Sequence, residues 1–221
     1  MRKVDFPLFP LKMVLFPNVP ILLHIFEDRY QKMIRHCVDK QQEFGVVLED
    51  EQGTHGLAKS QRVGCSAEIV TIQRLRNGRM NVAAVGKKRF RILSTNYVQP
   101  YLQGEVEFIP LDGDRSDSRL QKAGEMLRPC INQYIMQLQK LVDIQVNWEG
   151  LPDDPVELAY LAAYILQIDP QQKQLILEQD TPLDLLRFIL REYAIEQHAL
   201  KTVLALRRLY PDSAEKIFSL N

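Results

Sequence analysis

Little in this chain is suited to covalent or metal chemistry. Cysteine occurs three times in 221 residues, at Cys37, Cys65 and Cys130, and no two form a CxxC. That argues against a zinc ribbon or a disulfide framework and favours a reducing, cytoplasmic setting. The four histidines, His24, His36, His55 and His198, are scattered, and no HExxH pairs two of them on one helix face. No metal and no cofactor is expected. The phosphate-cradling GxxxxGK[ST] and the nucleophile-bearing GxSxG are both missing, and Ser60, Ser66 and Ser94 have no neighbouring His/Asp grouping. No window approaches the ~18 apolar residues of a membrane span. Pro7, Pro10 and Pro17, with Asp5 and Lys12, interrupt any signal-like apolar run at the start. Net charge is absent too, since 28 bases balance 28 acids. The chain as a whole therefore has no electrostatic bias toward nucleic acid or an anionic membrane.

What is present is an ordinary globular balance, 46% apolar and 25% charged. The pattern divides in two: residues 1–115 read as short strands, and 116–221 read as helices. The polar stretch LDGDRSDS joins them. In the first part Phe6-Pro7-Leu8-Phe9-Pro10-Leu11 is extended, because each proline biases its predecessor away from helix. Proline also denies a ladder its donor, so this stretch reads as an edge or bulged strand. Further strands are expected at 21–26, 44–48, 63–75, 80–85, 90–92 and 103–109. Asn77-Gly78 between β-prone runs marks a hairpin, since both turn residues must take positive φ.

One helix interrupts the strands. In LLHIFEDRYQKMIRHCVDK the apolar positions Tyr30, Met33, Ile34, Cys37 and Val38 fall on one helical face. Asp28 stands where an N-cap belongs. The triplet Glu27-Asp28-Arg29 thus reads as the corner where a strand hands over to a helix rather than as a catalytic pair. In the second part Asp154-Pro155, Asp169-Pro170 and Thr181-Pro182 each set a capping residue before a proline, the signature of a helix start. The helices are expected over 155–167, 170–178 and 182–208. An amphipathic stretch over 120–142 precedes them, with Pro129 expected to kink or split it.

Two surfaces carry functional expectations. Phe6, Phe9, Met13, Leu15 and Phe16 crowd the proline-rich strand. They either close the β-core or let an edge accept an extended peptide by strand addition. Trp148 could floor a groove between the two parts. Between Arg74 and Arg91 lie seven bases and no acid. Of these, Arg74, Arg76, Arg79, Lys87, Lys88 and Arg91 form a candidate nucleic-acid face, although stacking aromatics are scarce there. A hydrolase reading would need the fold to bring a histidine to Ser66 or Cys65.

Three blocks in order resemble one family. FPLFPLKMVLFPNVPILLHIFEDRYQKMI is similar to the opening of the N-terminal, substrate-recognition domain of the ATP-dependent protease Lon, in the version found in stand-alone bacterial proteins. In VGCSAEIVTIQRLRNGRMNVAAVGKKRFRIL, residues Gly64, Ala67, Ile69, Leu75, Gly78, Val82, Gly86, Arg89, Phe90 and Ile92 fall on the family's strand pattern. DPVELAYLAAYILQIDPQQKQLILEQDTPLDLLRFILREY resembles its helical part. The resemblance implies an α+β fold: a PUA-like pseudo-barrel with one inserted helix, then a C-terminal helical bundle. It implies a module that holds extended polypeptide or a partner protein, with no membrane association, and without the family's ATPase and Ser/Lys peptidase parts. It also gives Arg29 a role as a brace, held by a carboxylate or by strand carbonyls. RNA binding through the basic face is the alternative.

Overall fold

The computed structural model describes residues 2–49, 62–142 and 150–209. Six strands come first: β1 (Arg2–Leu11), β2 (Pro20–Ile25), β3 (Phe44–Leu48), β4 (Val63–Arg74), β5 (Met80–Asn96) and β6 (Gln103–Phe108). Helix α1 (Asp28–Asp39) lies between β2 and β3. Then follow α2 (Ser118–Val142), α3 (Pro155–Ile165), α4 (Pro170–Leu177) and α5 (Pro182–Leu209). The strand order is β2-β5-β4-β3-β1-β6, and β5 also pairs with β6. Five strands therefore form a closed ring, and β2 extends its wall, paired only to β5, on the edge of β5 that β6 takes farther along. Asn77 (φ 59°) and Gly78 (φ 74°) make the β4–β5 turn with the positive angles that Asn-Gly supplies.

Of the two readings of β1, edge or bulged, the edge is overturned and the bulge is present, since its register against β6 shifts between Lys3 and Phe6. It pairs with β3 in parallel through Leu8–Leu11 and with β6 in antiparallel through Arg2–Pro7. The two neighbours are staggered, and this is how two prolines fit an interior strand. The Leu8 N–H donates to Leu102 O, and Leu11 O accepts from the Glu49 N–H beyond β3. Backbone groups alternate sides along a strand. Pro10 therefore turns its nitrogen toward β6, where β6 has already ended, and Pro7 turns its nitrogen toward β3 before β3 has begun.

Inside the ring, Phe9, Phe44, Val46, Val82 and Ala84 meet Tyr30, Met33, Ile34 and Cys37 of α1, so the helix plugs one end of the barrel. Its N-cap is Glu27, one residue earlier than expected, and Asp28 lies in the first turn with no side-chain cap bond. Arg29 is held by a carboxylate: its Nε donates to Glu27 Oε2 at 2.8 Å, and its guanidinium lies 4.6 Å from the Tyr30 ring centroid. The charged triplet is a structural corner.

The helices start where the capping pairs stand. Asp154 accepts from the Val156 and Glu157 N–H groups, each at 2.9 Å. Asp169 forms a capping box with Gln172. Thr181 Oγ1 accepts from the Asp184 N–H at 3.1 Å. Helix α2 is not split at Pro129 and continues to Val142. It packs on α3 and α5, and Tyr134 meets Tyr193 edge-to-face at 5.3 Å between centroids. Both hydroxyls are bonded: Tyr193 donates to Ala162 O and Tyr134 accepts from the Gln167 N–H, each at 3.0 Å. The expected division near residues 115/116 falls in the connection between β6 and α2. The apolar cluster of the helices nonetheless takes in Val14, Phe16, Val19, Leu48 and Val63 from the strand part. Phe16 stacks on Tyr160 of α3 at 6.0 Å.

Candidate functional site

Three surfaces could hold a ligand. The first is the outer edge of β2. Its six residues alternate exposed and buried, so Ile21, Leu23 and Ile25 point into the barrel while Leu22 and His24 face out. The Gly86 N–H donates to Val19 O at 3.0 Å. The register continues unbroken from Pro20↔Val85 to Ile25↔Met80. By antiparallel alternation Ile21, Leu23 and Ile25 spend their backbone groups on β5, and Leu22 and His24 turn theirs to the free side. Among the described residues no strand covers that side. Leu22 is 84% and Phe26 60% exposed. His24 stacks over Phe26 at 6.2 Å and bonds Asn81 Oδ1 at 2.8 Å, which fixes the ring against the sheet.

The second surface is a groove of about 430 Å³ between barrel and helices. Pro17, Phe108, Pro110, Leu111 and Tyr160 give it apolar walls, and Lys87, Lys88 and Arg115 bring positive charge. Much of that charge is answered locally. Lys87 pairs with Glu68 at 2.8 Å, a hydrogen bond that raises its pKa, and Arg115 reaches Asp154 at 3.4 Å. Burial pushes the Tyr160 hydroxyl up to about 12, so it stays protonated. Behind the groove Arg89 is 4% exposed. Its guanidinium donates to the carbonyls of Leu177 (2.8 Å), Gln179 and Pro110 (2.7 Å), tying β5 to the end of α4 and to the connection after β6.

The third surface is a cleft of about 330 Å³ between α1 and the β4–β5 turn. Ile34, Val38, Ile72, Leu75 and Met80 line its apolar part; Arg35, Arg74 and Arg79 stand around it with Asp39.

These positions change several expectations. Phe6, Phe9, Leu15 and Phe16 are buried, between 0% and 6% exposed, and close the core; of that group only Met13 reaches the surface. They cannot receive a peptide at an edge, because their side chains are buried and β1 lies between β3 and β6; the free edge belongs to β2. Trp148 lies outside the described residues. The bases from 74 to 91 do not share one face. Arg74, Arg76 and Arg79 sit at the hairpin tip. Lys87 and Lys88 sit at the groove, seven residues beyond the Arg74↔Met80 pair in the case of Lys87, or roughly 23 Å along the strand. Arg91 lies across from Glu107. Neither Ser66 nor Cys65 is placed as a nucleophile: both are wholly buried, and burial pushes the Cys65 thiol far up. Ser66 Oγ accepts from the Lys88 N–H at 3.1 Å, and no histidine bonds either residue among the described ones. The edge at Leu22 had little signal in the sequence: Ile21-Leu22-Leu23-His24-Ile25-Phe26 is nearly all apolar and does not alternate, and only Pro20 hints at an open flank. The Arg89 clamp had no local signal, because its three acceptors come from distant segments.

The architecture is that of Lon N-terminal domains. The crystal structure of a Lon N-terminal domain protein from Xanthomonas campestris is similar with a TM-score of 0.63 and 24% identity, covering 84% of this chain and 96% of that one. The N-terminal domain of Mycobacterium avium complex Lon protease gives 0.64 at 14% identity, covering 86% and 97%. The family described as the ATP-dependent protease La (LON) substrate-binding domain matches residues 5–192, and this chain belongs to that family. A Lon protease of Parabacteroides distasonis is 34% identical over 103 residues, 45% of this chain and 12% of the relative. A LON peptidase N-terminal domain and RING finger protein of Schizosaccharomyces pombe is 27% identical over 216 residues, 83% of this chain and 44% of the relative. The chain spans less than half the length of either curated relative.

Proposed function

We propose that this protein is a non-catalytic recognition module that holds extended polypeptide, either an unfolded client or a loose segment of a partner protein. The observation that carries the reading is the free edge of β2. An extended chain laid along it would take up the outward backbone groups of Leu22 and His24 and cover the apolar side chains of Leu22 and Phe26. Pro20 at the strand's start shields the edge from indiscriminate pairing. Ordering a flexible segment costs several kcal/mol, so affinity for one segment is weak and grows only where several engage together. The family match supports a substrate-recognition role. A reducing, cytoplasmic setting agrees with the three free thiols, and no helix of the described residues is long and apolar enough to cross a membrane.

The test is fluorescence anisotropy with a labelled, permanently unfolded client chain. Wild type binds it and never shortens it. Leu22→Lys weakens binding about tenfold, the worth of one buried large side chain, while the melting temperature stays put. Equal binding by Leu22→Lys removes β2 as the site. Absence of any client binding removes the reading, and time-dependent fragments with contaminating proteases excluded would make the protein an enzyme. A labelled RNA strand run alongside tests the alternative through the basic residues.

A further inference from the structure

The cleft at the hairpin tip is unlike the other two surfaces in its charge. Among the described residues, no carboxylate lies within ion-pairing distance of Arg35, Arg74 or Arg79. Arg35 Nη2 donates to Gln31 Oε1 at 3.4 Å, a neutral acceptor. Lys87, Arg115, Arg119 and Arg128 elsewhere all have acidic neighbours. Three guanidinium groups therefore surround one cleft that holds a single acid, Asp39. Between them the floor is aliphatic. Ile34 and Met80 are buried, and Val38 (42% exposed) and Leu75 (38%) stand open beside them. Val38 belongs to the apolar stripe of α1, yet the barrel does not cover it.

We infer that this cleft binds an acidic polypeptide segment in which an aliphatic side chain is flanked by Asp or Glu: the aliphatic group fills the space over Ile34, Ile72 and Met80, and the carboxylates pair with Arg35, Arg74 and Arg79. Guanidinium presents a planar fork that matches a carboxylate with two parallel hydrogen bonds. A cleft of this volume is large enough for a compact ligand. Its lining contains no aromatic ring, so a nucleobase would find no stacking platform, which favours polypeptide over RNA. The rim is placed by rigid elements: Arg35 by α1, Arg74 by the end of β4, and Arg79 by the Asn77-Gly78 turn. A Cβ at Gly78 would stand 2.5 Å from Gln31 Oε1, so the turn sits close against α1 and holds the cleft to its shape. The inference rests on the polypeptide-recognition reading and gives it a second, chemically selective contact: β2 takes any extended chain, and the cleft selects acidic ones.

The experiment uses the intact protein and a short labelled peptide carrying Leu between Asp and Glu residues. Comparators are its Asn/Gln isostere, its Leu→Ser form and a labelled single-stranded RNA. Wild type binds the acidic peptide about tenfold more tightly than the isostere, since the isostere loses the charge-assisted bonds. Arg74→Gln with Arg79→Gln abolishes that preference without moving the melting temperature, and Leu22→Lys leaves it intact. Binding weakens with added salt. Equal affinity for the isostere, an unchanged preference in the double variant, or tighter binding of the RNA overturns the inference. If the acidic peptide fails while the unfolded client still binds through β2, only the cleft is refuted. If neither binds, the recognition reading falls with it.

Discussion

Replacing Arg89 by alanine takes the donor from three carbonyl oxygens at once, those of Pro110, Leu177 and Gln179. Two of these lie at the C-terminal end of α4, where a cation is also favoured by the helix dipole. Each charge-assisted bond to a carbonyl contributes about 1.5–3 kcal/mol. The three share one side chain and do not add. Arg89 also lines the groove, so water can reach some of the freed oxygens. The expected cost of Arg89→Ala is about 3–5 kcal/mol, at the scale of breaking a buried charged contact. For a protein of this size that is a fall of roughly 10 °C in melting temperature. Arg89→Met keeps the stem and loses the donors, so it should cost nearly as much. Arg89→Lys keeps charge and reach but not the fork, and should cost about half. Urea denaturation at fixed pH measures all three. If Arg89→Met stays within ~0.5 kcal/mol of wild type, the carbonyl clamp is not what holds β5 to α4. If lysine is as costly as alanine, the fork geometry is everything and charge contributes nothing.

Three further outcomes follow from the same structure. A Cβ at Gly86 would lie 2.1 Å from the Phe16 carbonyl oxygen, a backbone contact that cannot give way; Gly86→Ala should therefore cost more than ~3 kcal/mol, and a wild-type melting curve for it would refute the close approach. Asp154→Ala should cost ~1 kcal/mol through the lost cap on α3, read by urea denaturation, with Asp154→Asn recovering most of it. Burial holds the Cys37 thiol protonated up to about 12, against an ordinary 9.0. The unfolded chain thus releases this proton at lower pH than the folded one, and the stability it lends is whole below pH 9 and lost as pH rises toward 12. Cys37→Ala should flatten the decline of stability over that window, and an unchanged slope would show that the thiol titrates freely in the folded state.

Features written by neighbouring residues were legible in the sequence. The Asp-Pro and Thr-Pro pairs stand at the starts of α3, α4 and α5, and Asn77-Gly78 makes its hairpin, because capping and positive φ are decided within a few positions. Features decided by distant segments were not. Pro7 and Pro10 argued for an edge, and each flank of β1 is indeed open where a proline faces it, but only the stagger of β3 and β6 reveals that the strand is interior. Arg89 looks like its neighbours Lys87, Lys88 and Arg91. It differs because the β4–β5 register shifts between Cys65 and Ala67, opposite Gly86–Arg89, and because the helical part covers the strand's outer side. Val38 fits the apolar face of α1 by spacing, yet it opens into the hairpin cleft. The candidate surfaces were thus half visible: Arg74, Arg79, Lys87 and Lys88 could be named, but not Arg35 or Arg115, nor that these bases divide between two places.

The closed ring of strands has a consequence for synthesis of the chain. β1 leaves the ribosome with Leu11, but its partner β6 begins only at Gln103, so at 5–20 residues per second the first strand waits roughly 5–20 s before the ring can shut. During that interval Phe6 and Leu8, later among the most enclosed side chains in the molecule, lack Leu102 and Val106, which complete their cluster with Val47, Phe90 and Ile92. Nascent chains halted before Gln103 should recruit chaperones that the finished protein no longer needs.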